Sequence, residues 1–182
     1  MNKVETILTE IQAVTRSMEE EKLHQIAQSL QKAKRIFVIG EGRSGLMGKS
    51  FAMRLMHLGA EVFVVGETIT PSINGDDLLV AISGSGTTKS VVWTAEKAQS
   101  LGCEVIALTT NPDSDLSQQA SSVLHIPAAT KHRRENELKT IQPLGSLFDQ
   151  CAHIVFDTIC LQYAELNEID HADAFSKHSN VE

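Results

Sequence analysis

The chain has 182 residues, the length of one domain with a full-sized core, and 42% of them are hydrophobic, which excludes wholesale disorder. Its formal charge of −7 excludes a broad positive field, so nucleic acid and anionic membranes are poor partners, and an anionic ligand has to be met by local N–H groups and a few side chains. No stretch has the uncharged length of a membrane span, and the opening MNKVETILTEIQ mixes charge into its apolar pattern, unlike a secretory signal.

In chain order, Val4, Ile7, Leu8, Ile11, Val14 and Met18 repeat at helical spacing. Ser17 and Glu20 read as a capping box that starts a further helical stretch, with Leu23, Ile26, Ala27 and Leu30 on one face. The pattern fits two helices or one bent one, and its stripes fit either the core or an oligomer contact. Residues 35–40 (RIFVIG) are a short apolar run ending in glycine, a buried strand. A helix over 44–58 is closed by Gly59. Further strands are expected over 60–65, 78–83, 104–109 and 123–126, with helices over 87–101 and 114–120 between them. The stretch 127–139 is polar and basic, and Pro143 opens a long last helix with Leu147, Phe148, Cys151, Val155 and Ile159 in its stripe.

Strands apolar on both faces and separated by helices predict a five-stranded parallel sheet covered on both sides. Right-handed crossovers make it a three-layer, doubly wound α/β domain. The chain reads as one domain: a helical segment over 1–31, an α/β core over 35–166 and a C-terminal tail over 167–182.

Two Gly-rich loops follow strand ends, where ligands bind in such folds. The first, Gly40-Glu41-Gly42-Arg43-Ser44-Gly45, matches GxGxxG, and Glu67 follows near the end of the next strand. That fits a dinucleotide fingerprint, any phosphate site at a helix N-terminus, or a tight turn with no ligand. The second, Ser83-Gly84-Ser85-Gly86-Thr87-Thr88, gathers four hydroxyls and two glycines at a helix start. Hydroxyls and backbone N–H groups together make a phosphate cradle, which a dinucleotide domain does not need twice. Simple helix capping by Ser83 or Thr87 is the plainer alternative. Cys103, Cys151 and Cys160 are odd in number and lack CxxC spacing, so they read as buried free thiols, and the histidines show no metal-ligand spacing. The basic residues 131–134 suit either a lid over a phosphate or an exposed loop.

The segments GEGRSGLMGKSFAMRLMHLG, VGETITP, ISGSGTTKS, ALTTNP, KTIQPLGSLFDQ and KHSNVE resemble the 6-phospho-3-hexuloisomerase family of the sugar isomerase (SIS) class. The likeness runs in register from about the first strand to the C-terminus. It implies interconversion of 3-hexulose 6-phosphate and fructose 6-phosphate through an enediol, in the ribulose monophosphate pathway of formaldehyde fixation. It also implies a cytoplasmic homodimer or homotetramer with an intersubunit active site and no metal or organic cofactor. Carried onto this sequence, Asp149 is the candidate base and His178, from the tail, a second catalytic group entering a neighbouring subunit's site. Arg43, Ser44, Ser83, Gly84, Ser85, Gly86, Thr87 and Thr88 are the substrate-binding residues. The family usually has Glu where Asp149 stands, and often Glu where Thr87 stands; the shorter side chain shifts the reach of the base by one methylene, and an ångström counts in catalysis. A non-catalytic sugar-phosphate-binding module and an isomerase of another sugar phosphate share the same loops.

Overall fold

Three runs of the sequence are apolar enough to be covered on both faces, and they form the middle of the sheet. The structure, a computed structural model, describes residues 2–134 and 137–181. Strand β1 (Ile36–Gly40) pairs on one side with β2 (Val62–Val64) and on the other with β3 (Leu78–Ile82). β4 (Glu104–Thr109) and β5 (Ser122–His125) continue beyond β3, giving an all-parallel order β2-β1-β3-β4-β5. The chain first winds one way from β1 to β2 and then the other way through β3. The point of reversal lies between the carboxyl ends of β1 and β3, where the two Gly-rich loops emerge.

Alternate strand residues feed two separate cores. Ile36, Val38, Leu78, Val80, Ile106 and Leu108 face one layer of helices, and Phe37, Ile39, Leu79, Ala81, Val105 and Ala107 face the other. The first layer holds α1 (Lys3–Thr15), α2 (Glu20–Lys32), α3 (Gly42–His57) and α6 (Ser146–Leu166); α6 packs against the other three. The second layer is α4 (Lys89–Ser100) and the short α5 (Asp115–Gln118). Phe51 of α3 stacks on Phe156 of α6 with ring centroids 4.3 Å apart, and both are fully buried. Truncating Phe156 to alanine would cost about 3–5 kcal/mol. Among the described residues no helix is long and apolar enough to cross a membrane.

Several element ends differ from the sequence expectation. The opening stretch is two helices, and α2 starts after Glu19 with no side-chain cap. The Ser17 hydroxyl instead donates to the Val14 carbonyl, closing α1, so the expected Ser17–Glu20 capping box does not form. The box sits at Asn2 and Glu5, at the start of α1. The last helix begins at Ser146 rather than Pro143, because Leu144 takes a left-handed φ of 53° and Gly145 is the cap. α4 begins at Lys89, after Gly86 at φ 70°. The tail is not all coil: a capping box between Asp170 and Asp173 starts α7 (His171–Ser176), which packs on α3. Cys103, Cys151 and Cys160 are buried and unpaired, and burial pushes their thiols up, to about 11 for Cys103 and about 12 for the other two. Glu135 and Asn136, inside the polar stretch 127–139, lie outside the described residues.

Candidate active site

The glycines of the first loop serve close packing. A Cβ on Gly45 would lie 2.6 Å from the Gly40 carbonyl oxygen, and one on Gly48 would meet Ile82 and Val38 at 2.9 and 3.0 Å. Both positions let α3 press onto β1. The first turn of α3 then presents two side chains to α6. The Ser44 hydroxyl donates to Oδ1 of Asp149 at 3.0 Å, and Arg43 Nε donates to Oδ2 at 3.1 Å. Asp149 is 4% exposed, so each oxygen of a buried carboxylate holds one donor and keeps acceptor capacity. The N-terminus of α3 is thereby occupied by a carboxylate of the chain itself, which disfavours a pyrophosphate there. Glu67, the acidic residue of the dinucleotide reading, is paired with Lys49 at 2.6 Å on the surface.

The second loop is built as a shallow cup. Ser83, 3% exposed, shares a 2.8 Å hydrogen bond with Thr88 and accepts the Gly86 N–H at 3.1 Å. The Thr87 hydroxyl donates to Ser85 Oγ at 3.1 Å. α4 follows with Thr88 as N-cap and no side-chain cap bond, which leaves the positive end of its dipole and its first N–H groups without a capping side chain among the described residues. The plainer alternative, capping of this helix by Ser83 or Thr87, does not hold, because the N-cap is Thr88. Gly86 is irreplaceable by geometry: a Cβ there would lie 2.1 Å from Ser114 Oγ, at a φ that L-residues avoid.

The two loops meet in one cavity of about 330 Å³. Arg43, Ser44, Gly84, Ser85, Thr88 and Asp149 line it, which unites six of the ten residues expected from the sequence. Ser83 and Gly86 lie beneath as supports, and Thr87 is exposed at the outer edge. His178 is elsewhere. It stacks on His57, the last residue of α3, with ring centroids 5.3 Å apart. Thirteen residues of helix separate His57 from Ser44, about 20 Å at 1.5 Å per residue, so His178 does not reach Asp149 of its own chain. His57 is 5% exposed; burial, with the charges of Arg54 and His178, pushes its imidazole down.

Further walls come from the basic stretch, which the sequence offers as a lid or an exposed loop, and from two residues that local sequence reasoning does not assign. Lys131 and His132 of the basic stretch face the cavity, as do Leu144 and Gly145. Two carboxylates far from any motif hold these walls. Glu10 of α1 accepts from the Thr140 hydroxyl at 2.7 Å, the Ile141 N–H at 2.8 Å and the Gln142 amide at 3.0 Å. Burial pushes the Glu10 carboxyl up, but these bonds and the Arg133 charge outweigh it and leave it below its ordinary value. Glu137 likewise accepts from the Thr130 N–H and hydroxyl and the Arg134 N–H. Arg133 donates to the Gln142 carbonyl, joining the two walls. Among the described residues no three His, Cys, Asp or Glu side chains come together to hold a metal ion.

A buried carboxylate facing an anion cradle across one cavity suits proton transfer on a phosphorylated small molecule. Known proteins agree with that chemistry. The chain is 42% identical over 179 residues to a Bacillus subtilis protein named 3-hexulose-6-phosphate isomerase, covering 98% of this chain and 97% of the relative. It is 38% identical over 181 residues to a protein of the same name from Mycobacterium gastri, covering 100% and 90%. A crystal structure from Methanococcus jannaschii, described as inferring a molecular function of 3-hexulose-6-phosphate isomerase, superposes with a TM-score of 0.87 at 31% identity and full coverage of both chains. The SIS domain model matches residues 29–154, from the end of α2 through the aspartate of the cavity into α6, and the chain belongs to the SIS domain family.

Proposed function

We propose that the chain interconverts 3-hexulose 6-phosphate and fructose 6-phosphate, with the phosphate held by the 83–88 loop and Asp149 as the base. The observation that carries this reading is the shared cavity, with a buried carboxylate on one wall and the hydroxyls and N–H groups of Ser85 and Thr88 on another. The phosphate accepts from the loop and from the uncapped first turn of α4, with Lys131 offering positive charge and His132 a ring N–H at the cavity wall.

The reaction moves a carbonyl from C3 to C2. Asp149 takes the proton from C2, and the electron pair forms the C2=C3 bond as negative charge moves onto the C3 oxygen. Ser44 and Arg43 stand at the carboxylate, where their donors orient it and meet developing charge. A proton reaches the C3 oxygen to give the enediol. Loss of the C2 hydroxyl proton and return of a proton to C3 then complete the exchange, so no atom or electron is gained or lost and no organic cofactor is called for.

The protein works as a homodimer or homotetramer in this reading. Leu46, Met53 and Met56 leave an apolar stripe on α3, and Leu144, 67% exposed, stands at the cavity rim. A neighbouring copy's His178 would complete a site that its own chain leaves without a histidine from the tail. Phosphorylated sugars do not cross bilayers, which puts the enzyme in the cytoplasm beside the reactions of formaldehyde fixation that make its substrate.

The test is a coupled assay. A synthase makes 3-hexulose 6-phosphate in place from formaldehyde and ribulose 5-phosphate, and fructose 6-phosphate is detected. Its appearance only when this protein is added is the expected result. No fructose 6-phosphate from a correctly folded protein would remove this substrate.

A further inference from the structure

The Thr109-Thr110 pair at the end of β4 has no place in the cavity, yet its donors converge on the phosphate loop. The Gly84 carbonyl accepts the Thr110 N–H at 3.1 Å, the Thr110 hydroxyl at 2.8 Å and the Thr109 hydroxyl at 3.3 Å. A carbonyl oxygen has two lone pairs, so the β4 side saturates it. Both threonines are buried, and among the described residues the Thr110 hydroxyl has no other partner.

Peptide geometry carries this contact to the ligand. The Gly84–Ser85 bond is trans, and in a planar trans unit the C=O and N–H point in opposite directions. With the carbonyl drawn toward β4, the Ser85 N–H turns toward the cavity that Gly84 and Ser85 line. The same underside fixes the next peptides: the Leu116 N–H donates to the Gly86 carbonyl at 3.0 Å, and buried Ser114 lies directly under Gly86. We propose that Thr110, assisted by Thr109, is a positioning residue for the phosphate, acting through the Gly84 carbonyl to aim the Ser85 N–H. This inference rests on the phosphate-loop reading above.

Removing the Thr110 hydroxyl leaves the bonds from its N–H and from the Thr109 hydroxyl in place but takes away the shortest of the three, so the peptide plane is held less firmly. The loop then loses aim without losing its fold. The test compares Thr110→Val, Thr110→Ser and Gly86→Ala with the unaltered chain. The readouts are KM and kcat for the sugar phosphate and the inhibition constant of inorganic phosphate, with fructose 6-phosphate binding by calorimetry as a measure that needs no turnover. Thr110→Val should raise KM and the phosphate inhibition constant by about tenfold while kcat stays within about twofold, and Thr110→Ser should restore both. A purely structural threonine would lower the melting temperature and leave that ratio alone. Should the valine chain not fold, Thr110→Ala, which adds no new group, carries the same comparison with Thr110→Ser. An unchanged KM in the hydroxyl-free variant, or a serine variant as impaired as it, overturns the inference. If Gly86→Ala, which deforms the whole loop, also leaves phosphate binding untouched, the phosphate-loop reading fails with it; if Gly86→Ala weakens binding and Thr110→Val does not, only this inference fails.

Discussion

Each end of the sheet carries a buried aspartate beside an arginine, and the two pairs are built to different specifications. At the amino end, Arg35 before β1 grips Asp77 before β3 with two bonds, Nε to Oδ1 at 2.9 Å and Nη2 to Oδ2 at 2.7 Å. The Asn74 N–H adds a third at 2.7 Å, and Arg35 spends a further donor on the Ser72 carbonyl. At the carboxyl end, Arg43 gives Asp149 one bond from Nε and Ser44 gives one more. The Arg35 side chain is 16% exposed and the Arg43 side chain 61%. The first pair is a closed clamp whose donors and acceptors are consumed within the fold. The second leaves a guanidinium fork in water and a carboxylate with lone pairs to spare, at the strand ends where ligands bind. The same two residue types thus make a saturated fastener at one end and, at the other, a carboxylate with the free acceptor capacity that the proposed base needs.

The sharpest way to break the comparison is to neutralise each aspartate. Asp149→Asn keeps the shape and the Ser44 contact but cannot take a proton. Turnover should fall by about 10²–10⁴-fold with sugar-phosphate binding retained, read from kcat and from calorimetry. Asp77→Asn should leave kcat within about twofold and lower the melting temperature by several degrees, because a buried guanidinium contact loses its charged partner. If Asp77→Asn costs turnover as heavily as Asp149→Asn, the division between the ends is wrong.

A smaller set of effects separates the two halves of the carboxyl end. Gly86→Ala drives a methyl into Ser114 and strains φ, so the cup should lose its shape while Asp149 stays in place. KM should rise by about a hundredfold, the scale set by ångström misplacement. Arg43→Lys should lower kcat by only about three- to tenfold with KM little changed, since an ammonium keeps the charge beside Asp149 but not the planar donor that orients it. A loss of kcat alone in Gly86→Ala, or a rise in KM alone in Arg43→Lys, would mean that the cup and the carboxylate do not divide the work in this way.

The frame that carries the two pairs is legible in the local sequence, and the pairing itself is not. β1, β3 and β4 announce themselves because burial on both faces demands continuous apolar runs, and the loops follow from glycines and hydroxyls at strand ends. Asp149 was nominated by resemblance, since an acidic residue early in a helix otherwise reads as dipole complement. The Thr109-Thr110 support was legible by the logic that found the serine loop, hydroxyls at a strand's carboxyl end, but its role depends on β3 and β4 being neighbours. Glu10 carries no local signal at all, because its three partners lie 130 residues or more along the chain. α7 was hidden in a polar tail whose only cue was the Asp170–Asp173 spacing, and with it the docking of His178 on His57.

The clamp at the amino end also has a pH signature. Burial pushes the Asp77 carboxyl up, but the hydrogen bonds from Arg35 and Asn74 and the charges of Arg35 and Lys34 outweigh it and hold it below its ordinary value. The unfolded chain therefore takes up this proton at a higher pH than the folded one. The stabilisation from Asp77 is complete above the unfolded carboxyl's pKa, about 3.9, and is lost as pH falls through the lower folded value. Glu10 and Glu137 are held low in the same sense, so the acid unfolding of the unaltered chain contains all three. Subtracting Asp77→Asn isolates one. The gap in melting temperature between the two chains should be constant from pH 7 to about pH 5 and should narrow below about pH 4. A gap that keeps its full width down to the acid transition would mean that the clamp holds Asp77 by shape alone, with no preference for its charged form.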